Sequence, residues 1–372
     1  MFKPFALVSL LVLARNLCSA ASGEAQPGTK LPDMPIPRRL LVVAPHPDDA
    51  SLSAGLLMRV QKAGGAVCIV ELTSGDHPNP FAMAYVHRTG FRAHPDRRVN
   101  YGLYRQMEDR NALRTIGVDP CFLVCLAYAD ASLWGLLQRS GIHRIDAKKQ
   151  VTWPPANACG DMALLAAHRT AESVANEIAS ALSQFRPDAI ILTHPNDNHR
   201  DHAATYWLGM EAVRRAGIDI RNVPIFCPLD AYGTSLPLGL RPERWFKKPR
   251  ELPSPTRWHE LALSPQEVRS KIEMLAEYPS QMAWEHPTEK SYKGYLSYMF
   301  GYVAQNELYG MVDAAHARDD EHFRRKLDNG VRLARFFGAF GNVFTDLGRR
   351  LFGTGCGPTT VHNPPPGIDE WN

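Results

Sequence analysis

Residues 40–51 read Leu40-Leu41-Val42-Val43-Ala44-Pro45-His46-Pro47-Asp48-Asp49-Ala50-Ser51. The apolar residues before Pro45 predict a strand buried on both faces, as in a parallel sheet. The two prolines cannot donate to a sheet hydrogen bond, so the strand should end there. Asp48, Asp49 and Ser51 are typical of a helix start. One imidazole and two carboxylates are therefore predicted at the carboxyl end of a strand, where open α/β sheets bind ligands.

Further apolar runs alternate with helical patterns along the chain. Their spacing predicts βαβ units, and hence an α/β protein with a mostly parallel central sheet. We expect a Rossmann-like fold with three layers, α/β/α. The additional predicted strands are Ala66–Leu72, Cys121–Ala127, Ala189–Thr193 and Ile218–Cys227.

The segments between and beyond these strands give less regular patterns. Tyr101–Ile116 has apolar residues at helical spacing and predicts a helix ended by Gly117. His77–Asn100 mixes Pro, Gly, His and Arg without a sustained period, which predicts a long surface loop near the site. Ser140–Gly160 predicts another loop, and Ser291–Leu308, with several aromatic residues, predicts a helix.

The domain organisation follows from shifts in composition. Residues 1–22 resemble a signal peptide, because Lys3 precedes a short apolar run and small residues follow it. We therefore expect an exported protein, either periplasmic or secreted. Residues 23–38 are rich in Pro and Gly and predict a linker. Residues 39–310 are expected to form the catalytic domain, and residues 311–372 a helical extension with a flexible tail.

Composition and missing motifs exclude several function classes. The net charge of the 372-residue chain is only +4, without a dense basic stripe, so nucleic acid is not an expected partner. Ser51 and Ser53 lack the Gly-x-Ser-x-Gly context of serine hydrolases, and no glycine-rich phosphate loop is present. The cysteine spacing predicts neither a zinc ribbon nor a disulfide. Arg332–Phe352 could lie on a membrane surface, although packing of its Phe residues on the catalytic domain is favoured.

A second polar cluster, His194–His202, follows another predicted strand. The two clusters can face each other across the crevice at the carboxyl ends of parallel strands. Two imidazoles and one carboxylate with an open fourth position are typical of a catalytic zinc site. Asp48 would then be free to act as a base, and His199 and Asp201 could serve as an acid or an oxyanion partner. The paired aspartates alone could also bind magnesium.

These residues also carry a resemblance to a known family. Pro45-His46-Pro47-Asp48-Asp49-Ala50 resembles the first motif of the PIG-L, or LmbE-like, N-acetylglucosamine deacetylases, although Glu is commoner than Ala at the last position. His199-Arg200-Asp201-His202 is similar to their second motif, H-x-D-H. Arg105-Gln106-Met107-Glu108 resembles their intervening helix. The similarity extends from about Arg39 to about Tyr309.

The resemblance implies a role for each matching residue. Zinc would be held by His46, Asp49 and His202, and Asp48 would take a proton from the zinc-bound water. His199 would stabilise the tetrahedral oxyanion or protonate the leaving amine, with Asp201 orienting or charging it. Arg105 and Asp130 match positions that contact the sugar in family members.

The implied reaction is removal of an N-acetyl group from an N-acetylglucosamine-type sugar or sugar conjugate, which leaves a free amine and acetate. Two alternatives remain open. The chain could be a carbohydrate-binding pseudoenzyme that retains the pocket without turnover. It could also be an amidase that hydrolyses another acyl-amine conjugate at the same centre.

Overall fold

The computed structural model of the protein describes residues 31–77, 79–119, 122–140, 170–195, 197, 199–228, 240–248, 256–281 and 300–312. Strands and helices alternate through most of this part of the chain, as the apolar runs predicted. In chain order they are β1 (Arg39–Ala44), α1 (Ala54–Lys62), β2 (Ala66–Thr73), α2 (Pro80–Thr89), α3 (Arg97–Thr115), β3 (Leu123–Tyr128), α4 (Leu133–Ser140), α5 (Ala171–Phe185), β4 (Ala189–Ile191), α6 (Arg200–Arg215), β5 (Ile225–Pro228), β6 (Thr256–Ala262), α7 (Pro265–Ala276) and β7 (Asn306–Val312).

The described strands form one seven-stranded sheet with the order β3-β2-β1-β4-β5-β7-β6. The first five strands along the chain pair in parallel, whereas β7 is antiparallel to both β5 and β6. The predicted, mostly parallel α/β fold is thus confirmed. Because β2 lies on one side of β1 and β4 on the other, the connections diverge between β1 and β4. A crevice at such a switch point is where doubly wound sheets bind ligands.

Strand β1 is buried on both faces, which explains why its sequence is continuously apolar. Leu40 and Leu41 point to opposite faces and both are fully buried. Leu40 and Val42 belong to a core cluster that includes residues of α1, α3 and α7. Helices α5 and α6 also contact β1. Two helical layers therefore enclose the sheet and fix the position of its carboxyl edge.

The prediction of a surface loop at residues 77–100 is wrong, because this segment contains α2 and the first residues of α3. Asn79 begins α2 by accepting hydrogen bonds from the backbone N–H groups of Phe81 and Ala82, and Pro80 occupies the first turn. Asp96 caps α3 in the same way. Both helix starts have the side chains that favour capping, but the many Pro, Gly and His residues obscured the apolar period.

The helix predicted over Ser291–Leu308 is also wrong where the structure describes it. Phe300–Tyr302 is a short 3₁₀ turn, and Asn306 begins β7. This strand pairs with β6 along its full length, from Asn306 opposite Ala262 to Val312 opposite Thr256. Sheet pairing thus overrides the local helical pattern.

Several other predictions lie partly or wholly outside the described residues. These are the signal peptide, most of the loop at residues 140–160, and the extension that follows residue 312. Helix α4 was not predicted from the sequence. Within the described part of the chain, no helix combines the length and hydropathy needed to cross a membrane.

Candidate metal centre

The three predicted metal ligands meet at the switch point between β1 and β4. The Asp49 Oδ2 atom lies 3.1 Å from His46 Nδ1 and 3.3 Å from His202 Nε2. The same oxygen accepts a hydrogen bond from the His46 backbone N–H at 2.9 Å, which fixes the carboxylate. His46 follows β1, Asp49 begins the 3₁₀ turn before α1, and His202 lies in the first turn of α6. Two imidazole nitrogens and a carboxylate oxygen are a donor set that suits zinc.

The charges around these ligands also favour a bound cation. Burial raises the pKa of Asp49, but His202 and His46 outweigh burial and hold this pKa well below its usual range. Burial lowers the pKa of His46, yet the carboxylates of Asp130, Asp201 and Asp49 together hold it well above its ordinary value. The site thus places several carboxylates around its imidazoles, and a divalent cation would balance their charge.

Asp197 contacts two of the three histidines of the second cluster, His199 and His202. Its Oδ2 atom lies 3.0 Å from Nδ1 of His202, so the other ring nitrogen of His202 faces Asp49. Its Oδ1 atom accepts a hydrogen bond from the His199 backbone N–H at 2.7 Å. A buried carboxylate behind a ligating histidine is a recurrent feature of zinc sites. The sequence analysis did not assign Asp197 a role, although it lies within the polar run that follows β4.

Asp48 lies beside the predicted metal ligands and does not cap the helix that follows it. Its side chain makes no capping hydrogen bond and its φ is +114°, which is unusual for a residue other than glycine. Its Oδ1 atom lies 3.0 Å from Nη2 of Arg105, and 17% of its side chain is exposed. Burial raises its pKa to about 7 despite the opposing charge of Arg105. A carboxyl group with this pKa can exchange a proton near neutral pH.

His199 lies beside two of the predicted metal ligands. Its ring centroid is 4.9 Å from that of His46 and 4.6 Å from that of His202. Burial, together with these two histidines, lowers the pKa of His199 to about 4. The ring atoms of His46, His199 and His202 that could bind a metal lie within 4.8 Å of one another. His199 is therefore close enough to act on a molecule held at the centre.

Asp201 is fully buried and holds the loop after β3. Its two oxygens accept hydrogen bonds from the backbone N–H groups of Ala131 and Leu133, at 2.8 and 3.2 Å. This loop carries Asp130, whose Oδ1 atom lies 3.1 Å from His46 Nε2. Asp201 Oδ2 lies 3.6 Å from the same nitrogen. That Asp201 orients His199 stays a prediction, while its contacts position the loop of Asp130.

A second supporting residue is Asp76, at the carboxyl end of β2. Its Oδ1 atom accepts a hydrogen bond from the Asp130 backbone N–H at 2.8 Å, and its Oδ2 atom lies 2.9 Å from Arg98 Nε. Ser74-Gly75-Asp76 directly follows β2, so chain connectivity places Asp76 at the carboxyl end of this strand. The contact between Asp76 and the Asp130 backbone, however, exists only because β2 and β3 are neighbours in the sheet.

Comparisons with known proteins identify a matching family and similar relatives. Residues 41–213 match the family model described as "PIG-L: GlcNAc-PI de-N-acetylase". Two curated relatives, from Streptomyces scabiei and Streptomyces avermitilis, are each named 1D-myo-inositol 2-acetamido-2-deoxy-alpha-D-glucopyranoside deacetylase. The first is 27% identical over 59% of this chain and 62% of the relative. The second is 31% identical over 50% of this chain and 55% of the relative. The chain thus spans about three fifths of the length of these relatives.

Among solved structures, the crystal structure of the A40926 pseudoaglycone deacetylase Dbv21 is similar, with 18% sequence identity and a TM-score of 0.46. The similarity covers 74% of this chain and 97% of that protein. The family match and the curated relatives confirm the resemblance to PIG-L proteins that the sequence motifs predicted.

Proposed function

From the match of residues 41–213 to the PIG-L family model, we propose that the protein is a zinc-dependent N-deacetylase of that family. It would hydrolyse the N-acetyl group of an N-acetylglucosamine-type sugar or sugar conjugate. The observation that carries the proposal is the convergence of Asp49 Oδ2 with His46 Nδ1 and His202 Nε2, at 3.1 and 3.3 Å. The names of the curated relatives support a sugar conjugate as the substrate.

In this proposal His46, Asp49 and His202 hold the zinc ion, and Asp197 fixes the ring of His202. Zinc, when bound, would polarise the acetyl carbonyl and lower the pKa of a bound water to about 7. Asp48 would remove a proton from the attacking water, because its carboxylate lies beside the ligands and is partly exposed.

His199 would act on the opposite side of the reacting amide. Because its pKa of about 4 leaves the imidazole neutral near pH 7, the ring N–H would donate a hydrogen bond to the oxyanion as the tetrahedral adduct forms. Asp48 would then pass the proton taken from the water to the departing amine. The C–N bond then breaks, and the products are acetate and the free amine. Contacts of Arg105 and Asp130 with the sugar stay predictions.

The test combines metal analysis with an assay of released acetate. We expect the purified chain to bind one zinc ion and to release acetate from at least one member of a panel of N-acetylglucosamine conjugates. Asp48→Ala should retain zinc while turnover falls by about 10²- to 10⁴-fold, since it removes a base rather than a ligand. His202→Ala should lose zinc. The exposed Asp219, which pairs with Arg221, offers a matched control in Asp219→Ala.

The contrary outcomes distinguish the alternatives. Stoichiometric zinc without acetate from any conjugate would favour a carbohydrate-binding pseudoenzyme. Release of a different acyl group from a parallel panel would favour an amidase of another specificity. Full activity of Asp48→Ala would show that the assigned base is wrong.

We also propose export of the chain, on the signal-like pattern of residues 1–22. Expression of the full sequence and of a variant without these residues, followed by cell fractionation, tests this. Equal distribution of both proteins would contradict it.

A further inference from the structure

We propose that Arg105 is a positioning residue. Its guanidinium group lies against the backbone of Gly75 and holds Asp48 in place. Its effect on catalysis rests on the proposed function, but its effect on the loop that carries the metal ligands does not. The resemblance to PIG-L proteins predicts a sugar contact for this arginine. The contacts of its guanidinium group point to the other role.

Both terminal nitrogens of Arg105 are engaged by the protein. Nη1 donates to the backbone oxygen of Gly75 at 2.9 Å, and Nη2 donates to the backbone oxygen of Pro47 at 2.5 Å. Nη2 also lies 3.0 Å from Asp48 Oδ1. Only 7% of the Arg105 side chain is exposed. A planar guanidinium can make several such contacts at once, whereas the ammonium of lysine acts as a point charge.

The contacts of Arg105 surround a residue with an unfavourable backbone conformation. Asp48 has a φ of +114° and no capping hydrogen bond from its side chain. Such conformations persist where surrounding groups restrain them. Arg105 binds the carbonyl oxygen of the preceding residue and the carboxylate of Asp48 itself. One side chain therefore restrains both the backbone and the side chain of the proposed base, between the ligands His46 and Asp49.

Gly75 provides the space that this arrangement needs. It has a φ of +59°, and a Cβ atom at this position would overlap Nη1 of Arg105 and lie 2.5 Å from its Cζ. The guanidinium thus lies directly on the backbone of Gly75. A side chain at residue 75 would displace Arg105 and release the loop beside it.

The experiment compares Gly75→Ala and Arg105→Lys with a control, Gly64→Ala. Gly64 has a similar φ of +73°, but no atom lies within 4 Å of its Cβ position. The control therefore carries the same kind of backbone strain without touching Arg105. For each protein we would measure the zinc dissociation constant by chelator competition, and kcat and KM for acetate release. Thermal unfolding verifies that each variant is folded.

For both test variants we expect kcat to fall about 100-fold with KM nearly unchanged, because a displacement of ~1 Å near reacting groups costs on the order of 10² in rate. Zinc affinity should fall about tenfold or more, since groups behind the ligands contribute this much to metal binding. Gly64→Ala should match the wild-type protein in both measurements.

Two results would overturn the proposal. An increase in KM with unchanged kcat in Arg105→Lys would show that Arg105 contacts the substrate. Wild-type zinc affinity in both test variants would show that Arg105 does not hold the loop. If the wild-type protein hydrolyses no N-acetyl conjugate, the proposed function fails and zinc affinity alone decides the role of Arg105. If Gly75→Ala does not fold, Arg105→Lys decides it.

Discussion

Lys271 and Glu307 form a buried ion pair that supports the turn carrying Asp49. Lys271 Nζ lies 2.6 Å from Glu307 Oε1 and donates to the backbone oxygen of Leu52 at 3.1 Å. The Glu307 carboxylate also accepts hydrogen bonds from the backbone N–H groups of Gly55 and Leu56 at the start of α1. The side chains of the pair are only 2% and 3% exposed. We predict that Lys271→Met strongly destabilises the protein, because it leaves the Glu307 carboxylate buried without its cation.

The expected loss follows from what remains around Glu307. Breaking one side of a buried ion pair costs about 3–5 kcal/mol. The two backbone donors and the Tyr309 hydroxyl, at 2.6 Å, still satisfy the carboxylate in the variant. We therefore expect the free energy of unfolding to fall by the lower end of this range, about 3 kcal/mol. This loss corresponds to a decrease in Tm of roughly 6–12 °C. In the double variant Lys271→Met/Glu307→Gln the uncompensated charge is gone, so a substantial part of this loss should be recovered.

The assay is urea unfolding followed by circular dichroism, at one fixed zinc concentration, because metal binding adds to apparent stability. Arg221→Met is the control. It removes the same kind of partner from an exposed ion pair, with Asp219, and should have no measurable effect. A change below ~0.5 kcal/mol in Lys271→Met, typical of a surface substitution, would refute the reasoning. Simple additivity in the double variant would also refute it, since it would show that the two side chains are not coupled.

Two further predictions concern groups near the site. Asp197→Asn should lower zinc affinity about 10- to 100-fold, since the carboxylate fixes the His202 ring; unchanged affinity in chelator competition would contradict this role. Burial raises the pKa of Glu108 from about 4.5 to about 8. The folded state therefore binds this proton more tightly than the unfolded state, and stability falls as pH rises from about 4.5 through 8, by up to ~5 kcal/mol. Glu108→Gln should remove this part of the pH dependence, measured as Tm at pH 5, 7 and 9; equal slopes in both proteins would count against it.

The elements that the sequence predicted well are those with a strong local signal. Strand β1 is apolar at every position from Leu40 to Ala44 because both of its faces are covered. The helix at residues 80–89 was not predicted, because it depends on the Asn79 cap and on packing against α3 more than on a clear apolar stripe. Strand β7 was wrongly predicted as part of a helix, because its conformation is set by pairing with residues distant in sequence, such as Trp258 opposite Gly310.

The sequence by itself determined which donor groups lie at the ends of the strands. His46, Asp48 and Asp49 all lie within five residues of the end of β1 at Ala44, so chain connectivity alone brings them to one edge of the sheet. His199 and His202 lie eight and eleven residues beyond the end of β4. Local order thus establishes which donor atoms are available, and at which ends of which strands.

Only the tertiary structure decided which groups surround each of these residues. The parallel pairing of β1 with β4 brings the two clusters together across 150 residues, and no local pattern encodes that adjacency. It also separates Asp49, which faces the histidines, from Asp48, which faces Arg105. The reason is that a carboxylate's role depends on the groups that surround it after folding, and long-range packing supplies those groups.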